Sequence, residues 1–406
     1  MKPMYFAYSI VISIYSALIC LAGFFIDKAR LWCRGKKGQY IQLKANLQAW
    51  KDRDILWIHA ASYGEFEMSW PLIEKIKTNN PDAAFLVSFY SPSGFENIAL
   101  DPDDFIKIYL PVDLLFIQKN YLKLVRPKAV FFIKYEYWYN MLRALTNLRI
   151  PYYYVGMHLQ ENSYILKPVF SGFKKLIAGA DQIFAHSMES KEILERHGFN
   201  NVELFGDMRI QKAEQNLESE SRIIEWPFKG NKSIIYGSVS QFELAPILKT
   251  VKKLKDYNHI IAPHDVEEIF FERIRAEGIE FSRISKTHKA SSNVMVIDNY
   301  GELKFLYSQA DVAYIGGGFE KGPHNILEAL IHKVPVIIGP NIDKYPLARE
   351  CHKLNFTDIA DTPDMVSKLL KNYLRGKNTL NESALSDYLE SKRAKMDLVE
   401  KLLEKL

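Results

Sequence analysis

The chain reads as an α/β protein of two doubly wound parallel-sheet domains behind an N-terminal apolar segment. Three observations predict this. Short apolar runs alternate with helical stretches along almost the whole chain, the pattern of parallel strands joined by crossover helices. The alternation stops in a polar stretch at 211–232 and then restarts, which divides the chain into two such units. Residues 5–26 carry no charge.

That uncharged segment comes first in the chain. At 1.5 Å rise per residue it is about long enough to cross a hydrocarbon core of ~30 Å. Lys28, Arg30, Arg34, Lys36 and Lys37 follow at once, with only Lys2 and the terminal amine before it. The positive-inside rule therefore assigns the rest of the chain to the cytoplasm. Residues 1–38 read as one uncleaved membrane anchor with a basic collar, because Leu21 to Phe25 offer a poor signal-peptide cleavage site. The hydroxyls of Ser9, Ser13, Tyr15 and Ser16 leave open a helix that lies in the interface instead of crossing it.

In the first domain, 39–212, strands are predicted at 55–59, 84–88, 107–110, 129–133, 152–155 and 182–185, with a helix at 66–78. A polar linker, 213–232, contains the Trp226-Pro227 pair. The second domain, 233–380, is predicted to have strands at 233–237, 259–262, 294–297, 312–315 and 334–338. Residues 381–406 have helical periodicity and are expected to cross back to the first domain. Doubly wound sheets place ligands at the carboxyl ends of their strands, so the site is expected in the cleft between the two sheets.

Composition excludes several classes. A hydrophobic share of 48% with 25% charged residues is that of an ordinary folded chain, not of a disordered one. Lys and Arg exceed Asp and Glu by only 53 to 48, which suits an anionic substrate or membrane surface and gives no support to a nucleic-acid partner. Cys20, Cys33 and Cys351 have neither metal spacing nor a disulfide framework, and read as inert thiols in a reducing compartment. There is no Walker A loop, nucleophile elbow or zinc spacing. The acidic cluster Asp101, Asp103 and Asp104 reads as a solvated turn, so no metal is expected.

The richest segment is 310–339. Gly316, Gly317 and Gly318 follow a predicted strand and let the backbone turn and approach a ligand. A helix is predicted at 324–332, with His324, Asn325 and Glu328 in its first turn, where a phosphate or ribose would meet N–H groups and the positive end of the dipole. In the first domain, strand 55–59 runs through Ser62, Tyr63 and Gly64 into a helix whose first turn carries Glu65. A carboxylate there either complements the helix dipole or acts as a general base. Ser62 and Gly64 leave room for a sugar, and Tyr63 offers a stacking face. Lys134, beside Glu136, and Arg209 stand near strand ends as candidates for binding anionic oxygens. Pro263 and His264 end another strand, where His264 suits a phosphate. Glu302, after Gly301, starts a helix and suits ribose hydroxyls.

The order of motifs resembles a known family. It runs from the apolar segment through Ile58-His59-Ala60-Ala61-Ser62-Tyr63-Gly64-Glu65, Tyr109-Leu110-Pro111-Val112-Asp113 and Glu136-Tyr137-Trp138-Tyr139-Asn140. Gly301-Glu302-Leu303, the three glycines and His324-Asn325-Ile326-Leu327-Glu328 complete it. The chain resembles the 3-deoxy-D-manno-octulosonic acid (Kdo) transferases of lipopolysaccharide synthesis. The resemblance implies a GT-B glycosyltransferase of the Gram-negative inner membrane. It would move Kdo from CMP-Kdo to the lipid A precursor, of lipid IVA type, with inversion and with neither metal nor cofactor. Glu65 matches the family's catalytic base, and Tyr300 to Glu302 and Asn325 to Glu328 match CMP-contacting segments. Lys134 stands where many members have a glutamate, which leaves transition-state support open between it and Glu136. Arg209 replaces a usual lysine. Ala262-Pro263-His264 replaces Pro-Arg-His, so only backbone and His264 contacts carry over there. The alternatives are another GT-B enzyme using a UDP-sugar, whether transferase or epimerase, and an inactive membrane-tethered binding module.

Overall fold

The computed structural model describes residues 2–218, 223–227 and 230–404. It forms two units, one of Met1–Lys212 with Lys392–Leu406 and the other of Ala213–Ser391. The helix Met208–Glu218 runs through the expected start of the linker, and 219–222 and 228–229 of that linker lie outside the described residues.

The first unit is built on β1 (Ile55–His59), β2 (Ala84–Phe89), β3 (Phe105–Tyr109), β4 (Ala129–Ile133), β5 (Tyr152–Met157), β6 (Gln182–Ala185) and β7 (Val202–Leu204). They form one sheet in the order β3-β2-β1-β4-β5-β6-β7, with every pair parallel. β7, of three residues, is too short to show in the sequence pattern. The strands are apolar on both faces because helices cover both. Trp57, Leu86, Phe132 and Tyr154 point into one core and Ile58, Phe85, Phe131 and Val155 into the other, the two-residue period of a strand. Strand order reverses between β1 and β4, which makes their carboxyl ends the switch point where such folds bind ligands. The last helix, Met396–Leu403, belongs to this unit, where Val399 and Leu402 join the core of Phe66, Leu72 and Ile76 on the helix Tyr63–Asn79.

The N-terminal helix spans Lys2–Ala22, and its Tyr5–Ala22 stretch is long and apolar enough to cross a membrane. The uncharged segment is not one helix throughout: the chain turns at Gly23 and restarts as the helix Asp27–Lys36. Phe6, Ile10, Ile14, Leu18 and Leu21 are exposed along one face. The other face is fastened to the first sheet's helices. Tyr8 donates to Asp113 Oδ2 at 2.7 Å, Asn140 Nδ2 donates to Ser9 Oγ at 3.3 Å, and the Arg143 guanidinium lies 4.3 Å from the Tyr5 ring centroid. Asp113 is buried and also accepts the N–H groups of Asn140 and Met141, at 3.0 and 2.8 Å, in the first turn of the helix Tyr139–Leu148. The Tyr and Ser residues that leave an interfacial helix open thus include some that dock this helix on its own domain. Tyr8→Phe removes one donor from a buried carboxyl group and is expected to lower stability by about 2 kcal/mol, read by urea unfolding in detergent. An unchanged midpoint would show the docking to be dispensable.

One expectation about this region is corrected. Cys20 and Cys33 are not separate thiols but are joined, because the turn at Gly23 lays the two helices together with the cysteine Cα atoms 5.7 Å apart. In the collar, the Lys36 ammonium sits 3.4 Å over the Trp32 ring, and burial brings its pKa down to about 7.

The second unit repeats the plan. Its strands are β8 (Ser233–Val239), β9 (Asn258–Pro263), β10 (Ser282–Arg283), β11 (Val294–Val296), β12 (Val312–Ile315), β13 (Val336–Ile338) and β14 (Thr357–Ile359). They lie in the order β10-β11-β9-β8-β12-β13-β14, again all parallel. Order reverses between β8 and β12, and the glycine-rich segment leaves the carboxyl end of β12 at that switch point.

Candidate functional site

β1 ends at His59, and four residues later the helix Tyr63–Asn79 begins with Ser62 as its N-cap. Glu65 sits three residues past Ser62 and closes a capping box: its Oε2 accepts the Ser62 N–H at 3.0 Å and lies 3.3 Å from Ser62 Oγ. Oε1 accepts no hydrogen bond among the described residues. One oxygen therefore shapes the turn, and the other is open. Burial, then the nearby Glu136, pushes the Glu65 carboxyl above its ordinary range against the pull of Lys134, His59 and Ser62. Gly64 has open space where a Cβ would stand. Tyr63 is exposed, and its hydroxyl donates to Glu67 at 3.0 Å. Beside it lies a hollow of about 170 Å³ whose walls include Phe66, Trp70, Ile98, Leu100 and Lys212.

Glu136 is held differently. It is buried, and its Oε2 accepts from Trp138 Nε1 at 2.8 Å and lies 3.0 Å from His59 Nε2. The other ring nitrogen of His59 lies 3.0 Å from the Ser88 carbonyl and 2.9 Å from the Ser88 hydroxyl. A carbonyl only accepts, so Nδ1 carries the proton. Nε2 then accepts from Trp138 Nε1, 2.9 Å away, in the neutral ring and donates to Glu136 in the charged one. His59 belongs to a motif singled out in the sequence, yet its role was missed; a histidine inside an otherwise apolar strand was the available signal.

Lys134 directly follows β4, with φ of 64° in the left-handed region, where a non-glycine residue is strained. It is half-buried, and its ammonium has no hydrogen bond or ion pair among the described residues. Burial and the charge of Arg209 hold its pKa below the usual lysine range, against Glu65 and Asp207. Arg209 is not a solvated surface cation. Its Nε and Nη2 both reach Asp207, with the closest contact at 2.5 Å, and Asp207 is itself 4% exposed. Burial works to raise the Asp207 carboxyl, but Arg209 outweighs it and the net shift is downward.

In the second unit the three glycines are explained first by the chain itself. A Cβ on Gly316 would stand 2.4 Å from the Ser238 carbonyl, Gly318 meets Gly339 in the same way, and Gly317 has φ of +89°. Close approach of neighbouring strand ends is thus enough by itself to require glycine at Gly316 and Gly318. Glu243, missed in the sequence, fixes the turn. It is 2% exposed and accepts from Gly317 N–H at 2.9 Å, Tyr314 hydroxyl at 2.7 Å and Ser240 N–H at 3.2 Å.

The predicted helix start is also corrected. The helix spans only Leu327–Ile331, because Asn325 Oδ1 accepts the Leu327 N–H at 3.2 Å and turns the chain just ahead of it. His324 and Asn325 therefore precede the helix. Ile326 and Leu327 are 2% and 1% exposed, so their side chains belong to the core and only their backbone is available to a ligand. Asn325 is exposed and donates to Glu328 Oε1 at 3.0 Å. His264, just past Pro263 at the end of β9, stacks on His324 with ring centroids 4.2 Å apart. Gly301 turns at φ of +88° ahead of the buried Glu302, and Tyr300 is 77% exposed.

Residues 34–212 match the family model described as 3-deoxy-D-manno-octulosonic-acid transferase (kdotransferase). The 3-deoxy-D-manno-octulosonic acid transferase of Haemophilus influenzae is 27% identical over 383 residues, covering 86% of this chain and 87% of its own length. The protein of the same name from Aquifex aeolicus is 27% identical over 300 residues, covering 72% and 78%. Among solved structures, the UDP-GlcNAc 2-epimerase of Neisseria meningitidis bound to UDP-GlcNAc matches with a TM-score of 0.56 at 15% identity, over 86% of this chain and 100% of that one. That likeness shows the GT-B-like fold.

Proposed function

We propose, from the premise that this chain belongs to the Kdo transferase family of lipopolysaccharide synthesis and is a glycosyltransferase, that it moves Kdo from CMP-Kdo to a lipid A precursor of lipid IVA type. The observation that carries the reading is Glu65. It is a carboxyl group at the switch point of the first sheet, with one oxygen anchored by the helix cap and one open.

In this reading Glu65 Oε1 takes the proton of the acceptor hydroxyl as that oxygen attacks the anomeric carbon of Kdo. The bond to the CMP phosphate breaks on the opposite face, which inverts the centre in one displacement. Kdo carries a carboxylate on its anomeric carbon, so Lys134 and Arg209 offer positive charge to an anion next to an oxocarbenium-like centre. Glu136, held by His59 and Trp138, keeps a second negative charge near that centre. The second unit supplies groups suited to CMP: the stacked His264 and His324 for phosphate, Asn325 with Glu328, and Glu302, for ribose hydroxyls, and Tyr300 and the Gly316 to Gly318 turn beside them. None of these steps uses a metal, and turnover is expected to persist in a chelating buffer. The exposed apolar face of the N-terminal helix and the exposed collar residue Arg34 suit attachment to an anionic inner-membrane surface, with both units in the cytoplasm.

The test is direct. Incubation of the purified chain with CMP-Kdo and lipid IVA should release CMP and increase the acceptor mass by whole Kdo units. Absence of CMP release, with thermal protection by UDP but not by CMP, would overturn the reading.

A further inference from the structure

The carboxyl ends of β4, β5, β6 and β7 lie side by side, and each leads into a basic side chain. Lys134 directly follows β4, His158 follows β5, His186 follows β6, and Arg209 lies just beyond β7. All four are half-buried, at the rim of the sheet and not in its core. The His158 and His186 rings meet edge to face with centroids 6.0 Å apart. His186 Nε2 lies 3.7 Å from Asp207 Oδ2, the carboxyl group that also holds Arg209. His158 Nδ1 lies 3.2 Å from Ser190 Oγ, while its Nε2 has only the Gln160 amide among the described residues, at 3.5 Å.

The charges in this row act against one another. Burial brings His186 down to about 4, with Arg209, His158 and Lys134 adding to the fall and Asp207 opposing it. Burial also lowers His158, and Lys134 and Arg209 lower it further against Glu189. Lys134 bears the same mark of Arg209's charge. Asp207 is taken up by the Arg209 fork, and the ammonium of Lys134, on strained left-handed backbone, has no bonded partner among the described residues. Two cations gathered beside two imidazole rings that burial and these charges favour as neutral, with donors on guanidinium, ammonium and ring nitrogens, suit a shared oxyanion.

We propose that Lys134, His158, His186 and Arg209 form one oxyanion site, which takes a carboxylate or phosphate group of the substrate next to Glu65. The choice of substrate rests on the transferase reading, but the site itself does not. The two histidines extend the pair of cations already considered into a row wide enough for several oxygen contacts.

Calorimetric titrations of the full chain in detergent would test this with three probes: inorganic phosphate, free Kdo, and a glucosamine disaccharide bisphosphate. Lys134→Met and the double variant His158→Ala/His186→Ala are each expected to weaken at least one probe about tenfold, the loss of one charge-assisted contact. Lys134→Arg should restore most of the affinity, and CMP affinity should stay at the wild-type value in all variants. A loss confined to free Kdo assigns the site to the sugar-acid carboxylate, and a loss confined to the bisphosphate assigns it to the acceptor phosphate. Unchanged affinity for all three probes in both variants, or no binding of any probe by the wild type, overturns the site. Phosphate binding that depends on Lys134 in a chain that does not turn over CMP-Kdo would leave the site standing and overturn the transferase reading.

Discussion

Glu65→Gln is expected to lower transfer from CMP-Kdo about a hundredfold to ten-thousandfold, the range for losing a general base, while CMP affinity stays near wild type. Glutamine can still accept the Ser62 N–H and close the helix cap, so the fold should survive and the loss should fall on kcat. The pH profile gives a second readout. Burial and Glu136 raise the Glu65 carboxyl, so the acid limb of kcat/KM should lie above the ordinary carboxylate range. A base works only when ionised. Removing the neighbouring negative charge in Glu136→Gln makes ionisation easier, and the limb should move to lower pH. Removing the positive charge in Lys134→Met should move it to higher pH. Retained turnover in Glu65→Gln would sink the base assignment, and limbs that stay fixed in the other two variants would show that the limb belongs to another group.

The second large effect concerns Glu243. Its carboxyl group accepts from Tyr314, Gly317 and Ser240 at a 2% exposed position, so Glu243→Ala leaves three donors without their acceptor. A loss of about 3 kcal/mol or more is expected in the unfolding of the second unit. The same change frees the turn at Gly316 and Gly317, so CMP protection against heat should vanish even below the unfolding temperature. Glu243→Gln keeps an acceptor oxygen and should fall between wild type and alanine. Full CMP protection in the alanine variant would show that the turn does not shape the nucleotide site.

The fold was legible because parallel strands covered on both sides must be apolar throughout, and runs such as Ile55 to His59 and Val312 to Ile315 have that character in any sequence window. Short strands such as β7 escaped, since three residues carry no period. The glycine segment was legible as a turn but not as a packing device: the Ser238 carbonyl that forbids a side chain at Gly316 is far away in the chain. The helix at 324–332 was overextended for a local reason, since a side-chain hydrogen bond from Leu327 N–H to Asn325 competes with helix and has no hydrophobic signature. His59, His158, His186 and Glu243 were hidden for one shared reason. Each has its meaning only through partners on other strands or helices, whereas Glu65 announces itself within its own helix turn.

The N-terminal helix touches more than its dock. Tyr90 donates to the Tyr15 hydroxyl at 3.1 Å, the Tyr90 ring lies 5.1 Å from that of Trp138, and Trp138 donates to Glu136. Two aromatic side chains therefore separate the apolar helix from a carboxyl group that shifts Glu65. Trimming residues 2–22 to obtain a more tractable protein would remove a wall of the surroundings of Glu136 along with the greasy handle. A shortened chain that folds well but works poorly would then be reporting on lost architecture and not on lost access to lipid. Detergent that strips the helix from its seat would have the same consequence without any change in sequence.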